Sequence, residues 1–136
     1  MGFHTFDSDR AANLEDPSRF EYVSVDELLA LFEPTPDSTV ADLGSGTGFY
    51  TDEIAPYAGQ VHAVDVQAVM HDHYREKGVP ENVDLVTAEV ADLPFDDDAL
   101  SGAVSTMTYH EFASDAALAE LARVCRSGAR VGVADW

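Results

Sequence analysis

Val25, Leu28, Leu29 and Phe32 recur at i, i+3, i+4 and i+7, which puts one apolar stripe on a helix. Ser24-Val25-Asp26-Glu27 reads as a capping box, with its acids at the favourable end of the helix dipole, and Pro34 and Pro36 stop the helix. From there the pattern alternates. Thr39-Val40-Ala41-Asp42-Leu43 is a β-prone run, followed by glycines and a helix with Tyr50, Ile54 and Tyr57 on one face. Residues 61–65 form a second strand, and a helix from about Gln67 to Lys77 ends at Gly78. Residues 83–87 and 102–106 are the third and fourth strands. A last helix runs from about Ser114 to Arg126, with Leu118, Leu121 and Cys125 inward and Arg123 and Arg126 at its negative end. Gly128 caps it, and residues 129–134 make a fifth strand. Such alternation predicts right-handed βαβ units, an α/β open parallel sheet of about five strands with helices on both faces. Residues 24–136 form this domain, and residues 1–23, polar and unperiodic, form an irregular arm or lid.

Composition narrows the setting. At 136 residues and 46% apolar, the chain fits one folded domain. It has no apolar run long enough to span a bilayer, and its first residues lack the regions of a signal peptide. Cys125 is alone, which excludes an internal disulfide and a cysteine-rich metal site. A cytoplasmic protein is the plain reading. Seven Lys and Arg stand against 26 Asp and Glu, a net charge of −19, and Lys77 is the one lysine. That surface repels phosphate backbones and anionic lipid, so no nucleic-acid or membrane partner is expected. Carboxylate self-repulsion needs screening, which favours a salt-adapted, halophilic protein over an ordinary acidic one with solvated carboxylates.

Gly44, Gly46 and Gly48 sit between the first strand and its helix, where small residues let backbone turn sharply and approach a ligand. Their spacing differs from the dinucleotide pattern G-x-G-x-x-G, and Asp42 precedes the first glycine by two residues. Asp65 lies about 20 residues past the loop at a strand's carboxyl end, where a carboxylate can take both ribose hydroxyls. The alternative for Asp65 is a solvated strand-end acid.

The run Asp42-Leu43-Gly44-Ser45-Gly46-Thr47-Gly48 resembles motif I of the class I S-adenosylmethionine-dependent methyltransferases. Residues 88–95 (AEVADLPF) resemble the gDaeeLPF motif of the ubiquinone/menaquinone-type and small-molecule members, and residues 122–129 resemble their RVLKPGG turn. The likeness spans about residues 40–135. It implies a Rossmann-like sheet and S-adenosylmethionine as cofactor, whose ammonium and sulfonium suit nearby carboxylates. It also implies that Gly44, Ser45, Gly46 and Gly48 cradle the methionine portion and that Asp42 helps hold the amino-acid end. By the same likeness Asp65 and Val66 meet the ribose, Glu89 accepts the adenine amino group, and the Val90 N–H faces the ring. Asp92 serves the ring or only caps its turn. Asp96-Asp97-Asp98 reads as a solvated loop, and no metal is expected. Two departures stand out. Ser101 occupies a position that is usually aspartate, and the family sheet has seven strands where this chain reaches Trp136 on the fifth. A truncated piece and a minimal version both fit. The fifth strand at the sheet edge makes a homodimer through that edge an expectation.

Methyl transfer is an in-line displacement in which protein supplies mainly alignment and desolvation. Met107-Thr108-Tyr109-His110-Glu111-Phe112 follows the fourth strand and faces the expected acceptor pocket. His110 is the candidate base, with Glu111 or Tyr109 as partner; the alternative is a histidine that caps the turn or shapes the pocket. His71 and His73 lie roughly 200° apart around a helix, so they cannot share one metal and are expected to face solvent. Phe3, His4, Phe6, Phe20 and Tyr22 make the arm aromatic-rich, as a lid over substrate or as packing against helices. The function expected is methyl transfer from S-adenosylmethionine to a small-molecule acceptor. A non-catalytic S-adenosylmethionine-binding module is the rival, and a nicotinamide-dependent oxidoreductase is a weaker one.

Overall fold

In a computed structural model of the chain, residues 13–106 and 108–135 are described, except for the side chains of His110 and Glu111. Helix α1 (Val25–Phe32) precedes β1 (Thr39–Leu43), α2 (Phe49–Ile54), β2 (Gln60–Asp65), α3 (Ala68–Lys77) and β3 (Val83–Thr87). Then come β4 (Leu100–Thr106), α4 (Tyr109–Phe112), α5 (Asp115–Val124) and β5 (Cys125–Ala134). The five strands form one parallel sheet in the order β3-β2-β1-β4-β5. The chain runs outward from β1 one way to β3, then returns to the other side for β4 and β5. That reversal opens a crevice at the carboxyl ends of β1 and β4, the place where open α/β sheets bind ligands.

β1 is central because it can be buried on both faces: Val40, Ala41, Leu43 and even Asp42 are 2% exposed or less. Leu28, Phe32, Tyr50, Ile54 and Tyr74 pack with Val40, Val61 and Val104 on one face. Leu93, Ala117, Leu121 and Val124 pack with Ala41, Leu43 and Val64 on the other. Each large side chain so buried contributes about 1.5–3 kcal/mol.

The capping box forms as expected: Ser24 Oγ accepts from the Glu27 N–H at 3.2 Å, and Glu27 Oε1 accepts from the Ser24 N–H at 3.1 Å. Ser101, the departure noted above, has a local task. Its hydroxyl accepts from the Thr39 N–H at 2.8 Å and donates to the Thr39 carbonyl at 3.0 Å, so both polar groups at the start of β1 are satisfied. An ionised aspartate could only accept.

Six expectations need correction. Pro56 has no N–H to continue the α ladder, so residues 55–57 tighten into a 3₁₀ turn and Tyr57 is half-exposed rather than inward. Leu118 is likewise half-exposed. The last helix ends at Val124, because Cys125 pairs with Leu100 and opens β5. The register then jumps to Gly102 against Arg130, so Gly128, at φ +85°, lies in an irregular stretch of β5 rather than in a helix cap. His71 does not face solvent. It is 1% exposed beside Met70 and Tyr74 on the inner face of α3, with Nε2 3.0 Å from the Val86 carbonyl. A carbonyl only accepts, so Nε2 carries the proton. His73, one residue past Asp72 on the same helix, is partly buried rather than solvent-facing.

Candidate functional site

The glycine loop is folded by β2. Gly44 and Ser45 N–H groups both donate to the Val64 carbonyl, at 2.7 and 2.9 Å, which turns the chain back over the sheet's carboxyl edge. Asp65 then fixes two segments at once: Oδ2 accepts from the Gly46 N–H and Oδ1 from the Gln67 N–H, both at 2.9 Å. Burial raises its pKa above the ordinary carboxylate value, and these two N–H groups pull the other way. Val66 is the partly buried link between those bonds.

Space, as well as conformation, demands two of the glycines. All three have positive φ. A Cβ on Gly44 would stand 2.3 Å from Thr108 Oγ1, and one on Gly48 would stand 2.3 Å from the Tyr74 ring. Thr108 is held there because its hydroxyl donates to the Leu43 carbonyl at 2.9 Å and meets Ser105 Oγ at 2.8 Å. Gly46 faces Leu14 Cδ1, 3.2 Å from where its Cβ would be.

Asp42 is the most unusual group present. Its Oδ2 accepts from the Thr51 hydroxyl at 2.6 Å, while Oδ1 is buried with no partner. Burial pushes its pKa up to about 6; the Thr51 hydroxyl and the Arg19 charge lower it, and Asp65 raises it. Ser45 Oγ is also buried and unpartnered. Groups of this kind are satisfied by water or by a ligand.

The described part of the arm lies on this loop. Glu15 accepts from the Thr47 hydroxyl and, at 2.8 Å, from Lys77, which also pairs with Asp52 at 3.1 Å. Phe20 packs on Phe49 with ring centroids 4.8 Å apart, and Arg19 lies over Phe49 and Tyr50 at 4.9 and 4.7 Å. The Tyr50 hydroxyl sits 2.9 Å from the Arg19 carbonyl and 3.2 Å from that of Val23. Phe3, His4 and Phe6 lie outside the described residues.

Beyond β3, Glu89 is exposed, Val90 is buried, and the Asp92 N–H closes a turn on the Glu89 carbonyl at 3.0 Å. Asp96, Asp97 and Asp98 are exposed; Asp97 pairs with Arg123 at 2.9 Å, and Arg123 also holds the Leu93 and Phe95 carbonyls. Among the described residues no cluster of three His, Cys, Asp or Glu could hold a metal. Residue 110 falls in α4, two positions past Thr108; its side chain, with that of Glu111, lies outside the description. Sequence reasoning missed Leu14, Glu15, Arg19, Thr51 and Tyr74, and did not foresee that Thr108 bounds Gly44. The one available signal was Arg19, the single cation between residues 13 and 23.

A family model described as a methyltransferase domain matches residues 41–133. The demethylmenaquinone methyltransferase of Corynebacterium kroppenstedtii is 32% identical over 76% of this chain and 44% of its own length. The O-methyltransferase cnsE of Penicillium expansum is 31% identical over 89% of this chain and 48% of its own. The crystal structure of a SAM-dependent methyltransferase from Aquifex aeolicus superposes with a TM-score of 0.88 and 31% identity, covering 97% of this chain and 74% of that one. This chain thus spans less than half the length of these two curated relatives. Its glycine loop, the unfilled Asp42 Oδ1 and Asp65 at the end of β2 fit a cofactor with a cationic amino-acid end and a ribose. The chain belongs to the methyltransferase-domain family, and S-adenosylmethionine is its expected cofactor.

Proposed function

We propose that this chain transfers the methyl group of S-adenosylmethionine to a small-molecule acceptor. The observation that carries the reading is Asp42 Oδ1, a buried carboxylate oxygen without a partner beside the glycine loop. Bound there, the cofactor would supply an electrophilic methyl on sulfur. Gly44, Ser45, Gly46 and Gly48 would hold its methionine end with Asp42, and Asp65 with Val66 its ribose. Glu89 and the Val90 N–H would take the adenine. Both Asp65 oxygens keep a lone pair beyond the N–H bonds they accept, so hydroxyls can be added without breaking the loop. His110, in the short helix α4 that follows β4, would remove a proton from acceptors that must lose one. Residues 1–23 would act as a lid on the domain formed by residues 24–136, as the contacts of Leu14 and Glu15 with the loop and of Arg19 with α2 support.

A small acceptor is favoured because a chain of net charge −19 repels nucleic acid and anionic lipid. The relatives' names, a demethylmenaquinone methyltransferase and an O-methyltransferase, lean the same way. No described helix is long and apolar enough to cross a membrane, and a cytoplasmic setting suits that. Val131 and Val133, exposed on β5 at the sheet edge, support pairing of two copies there. The test is methyl turnover against a metabolite panel with S-adenosylmethionine. A methylated product supports the enzyme. Binding of S-adenosylhomocysteine with no turnover favours a non-catalytic binding module, the second reading raised by the chain's short span of its relatives.

Three measurements probe the parts. Asp65→Ala should weaken S-adenosylhomocysteine binding by about 1.5–3 kcal/mol, the scale of hydrogen bonds to a charged group; unchanged calorimetric affinity would make Asp65 a strand-end acid. With an acceptor in hand, His110→Ala should cut turnover and leave cofactor affinity intact. A drop in acceptor affinity alone would reduce it to a pocket-shaping residue. Thermal stability should keep rising into molar salt, since screening relieves carboxylate repulsion in a halophilic protein; a melting temperature flat with salt would remove that proposal.

A further inference from the structure

Arg19 is left with unused hydrogen-bonding capacity in a place where this chain can least spare a cation. Its Nη1 donates to the Leu14 carbonyl at 2.8 Å and its plane lies over Phe49 and Tyr50, yet Nε is buried with no partner. Four other cations find carboxylates: Arg75 with Asp72, Lys77 with Glu15 and Asp52, Arg123 with Glu120 and Asp97, and Arg130 with Glu33. Among the described residues no carboxylate pairs with Arg19, although acids outnumber bases 26 to 7. A half-buried guanidinium without an anion is costly unless something supplies one.

The opposite charge is anchored to the same helix, α2. Arg19 rests on Tyr50, and Asp42 is bonded to Thr51, the next residue of α2. The two charges act on each other's ionisation, yet each keeps a buried polar atom unfilled, Nε on one and Oδ1 on the other. The remaining charged groups around the loop are engaged. Glu15 is held by Thr47 and Lys77, Lys77 by Glu15 and Asp52, and Asp65 by two backbone N–H groups. An unfilled cation and an unfilled anion, each seated against α2, match a ligand that carries both signs on neighbouring atoms.

We propose that Arg19 takes the α-carboxylate of the bound cofactor, and that Arg19 with Asp42 forms a site selective for an α-amino-acid zwitterion. This rests on the reading that the glycine loop holds S-adenosylmethionine. Guanidinium suits the task, since its planar donors match a carboxylate and its face is already oriented by two rings. The arm thereby contributes a specificity-determining residue, and the cofactor's own carboxylate links the arm to the sheet.

The test compares calorimetric binding of S-adenosylhomocysteine with that of 5′-methylthioadenosine, which keeps the adenosine and sulfur and lacks the amino-acid end. Arg19→Met keeps an apolar chain over the rings and removes the charge. It should weaken S-adenosylhomocysteine about 10- to 100-fold, the range for hydrogen bonds to a charged group, and leave 5′-methylthioadenosine unchanged. Arg19→Lys should recover part of the loss. Equal weakening of both ligands would overturn the proposal and make Arg19 an anchor of the arm. No change for either ligand would overturn it as well. Wild-type protein that binds neither ligand would overturn the cofactor reading itself, an outcome distinct from the other two.

Discussion

A Gly48→Ala variant is expected to lose about 2–5 kcal/mol of stability, a large share of what holds a domain of this size together. Two costs add at one position. Gly48 has φ +87°, where a Cβ crowds the following carbonyl by about 1–2 kcal/mol. The new methyl would also meet the Tyr74 ring at 2.3 Å, and overpacking of this kind costs about 1–3 kcal/mol. Tyr74 cannot step aside cheaply. Its ring is fully buried, and its hydroxyl donates to Asp52 at 2.7 Å. Gly128→Ala separates the two costs, because Gly128 has φ +85° with nothing within 4 Å of a Cβ. It should show the conformational cost alone, about 1–2 kcal/mol. Urea unfolding of both variants checks this, and equal losses would mean that the loop does not rest on Tyr74.

Asp42→Asn should act in two directions. The folded chain holds the Asp42 proton more tightly than the unfolded chain, with a pKa pushed from 3.8 to about 6. As pH rises through that window the folded state loses protons later than the unfolded state. Stability from this group therefore falls between about pH 4 and 6, by about 3 kcal/mol in all. Asparagine keeps an acceptor for the Thr51 hydroxyl and removes the buried charge. The variant should match wild type near pH 4 and exceed it at pH 7 by up to about 3 kcal/mol. Its affinity for S-adenosylhomocysteine should fall about tenfold or more, because the ligand's ammonium loses its counter-charge. Wild-type affinity should strengthen as pH rises from 5 to 7 and Asp42 ionises. A variant no more stable at pH 7, with binding intact, would mean that Asp42 is an ordinary structural acid. The trade of stability for binding is what a buried, half-satisfied carboxylate at a ligand site implies.

What could be read from the sequence was local. β1 and β3 fall on the residues that their β-branched runs marked, 39–43 and 83–87, and the Ser24 capping box closes the helix it opens. The structure brings Asp42, the glycine loop and Asp65 together because strand, turn and strand are consecutive, and parallel pairing of β1 with β2 aligns their ends. The misses depend on distant partners. Thr108 meets Gly44 across 64 residues, and no spacing rule announces that contact. His71 is polar and is followed by Asp72 and His73, yet the Val86 carbonyl pays for its burial. Cys125 continues a helical pattern but is claimed by Leu100 of β4. Arg19 lies in an unperiodic arm, and its significance appears only once Tyr50 and Asp42 are placed beside it.

Calorimetric titration of the purified chain with S-adenosylhomocysteine, and separately with NAD, addresses the central claim most directly. The unfilled Asp42 Oδ1, the loop at residues 44–48 and Asp65 predict saturable, one-site binding of S-adenosylhomocysteine and no heat with NAD. Saturable binding of NAD, with none of S-adenosylhomocysteine, would contradict the account.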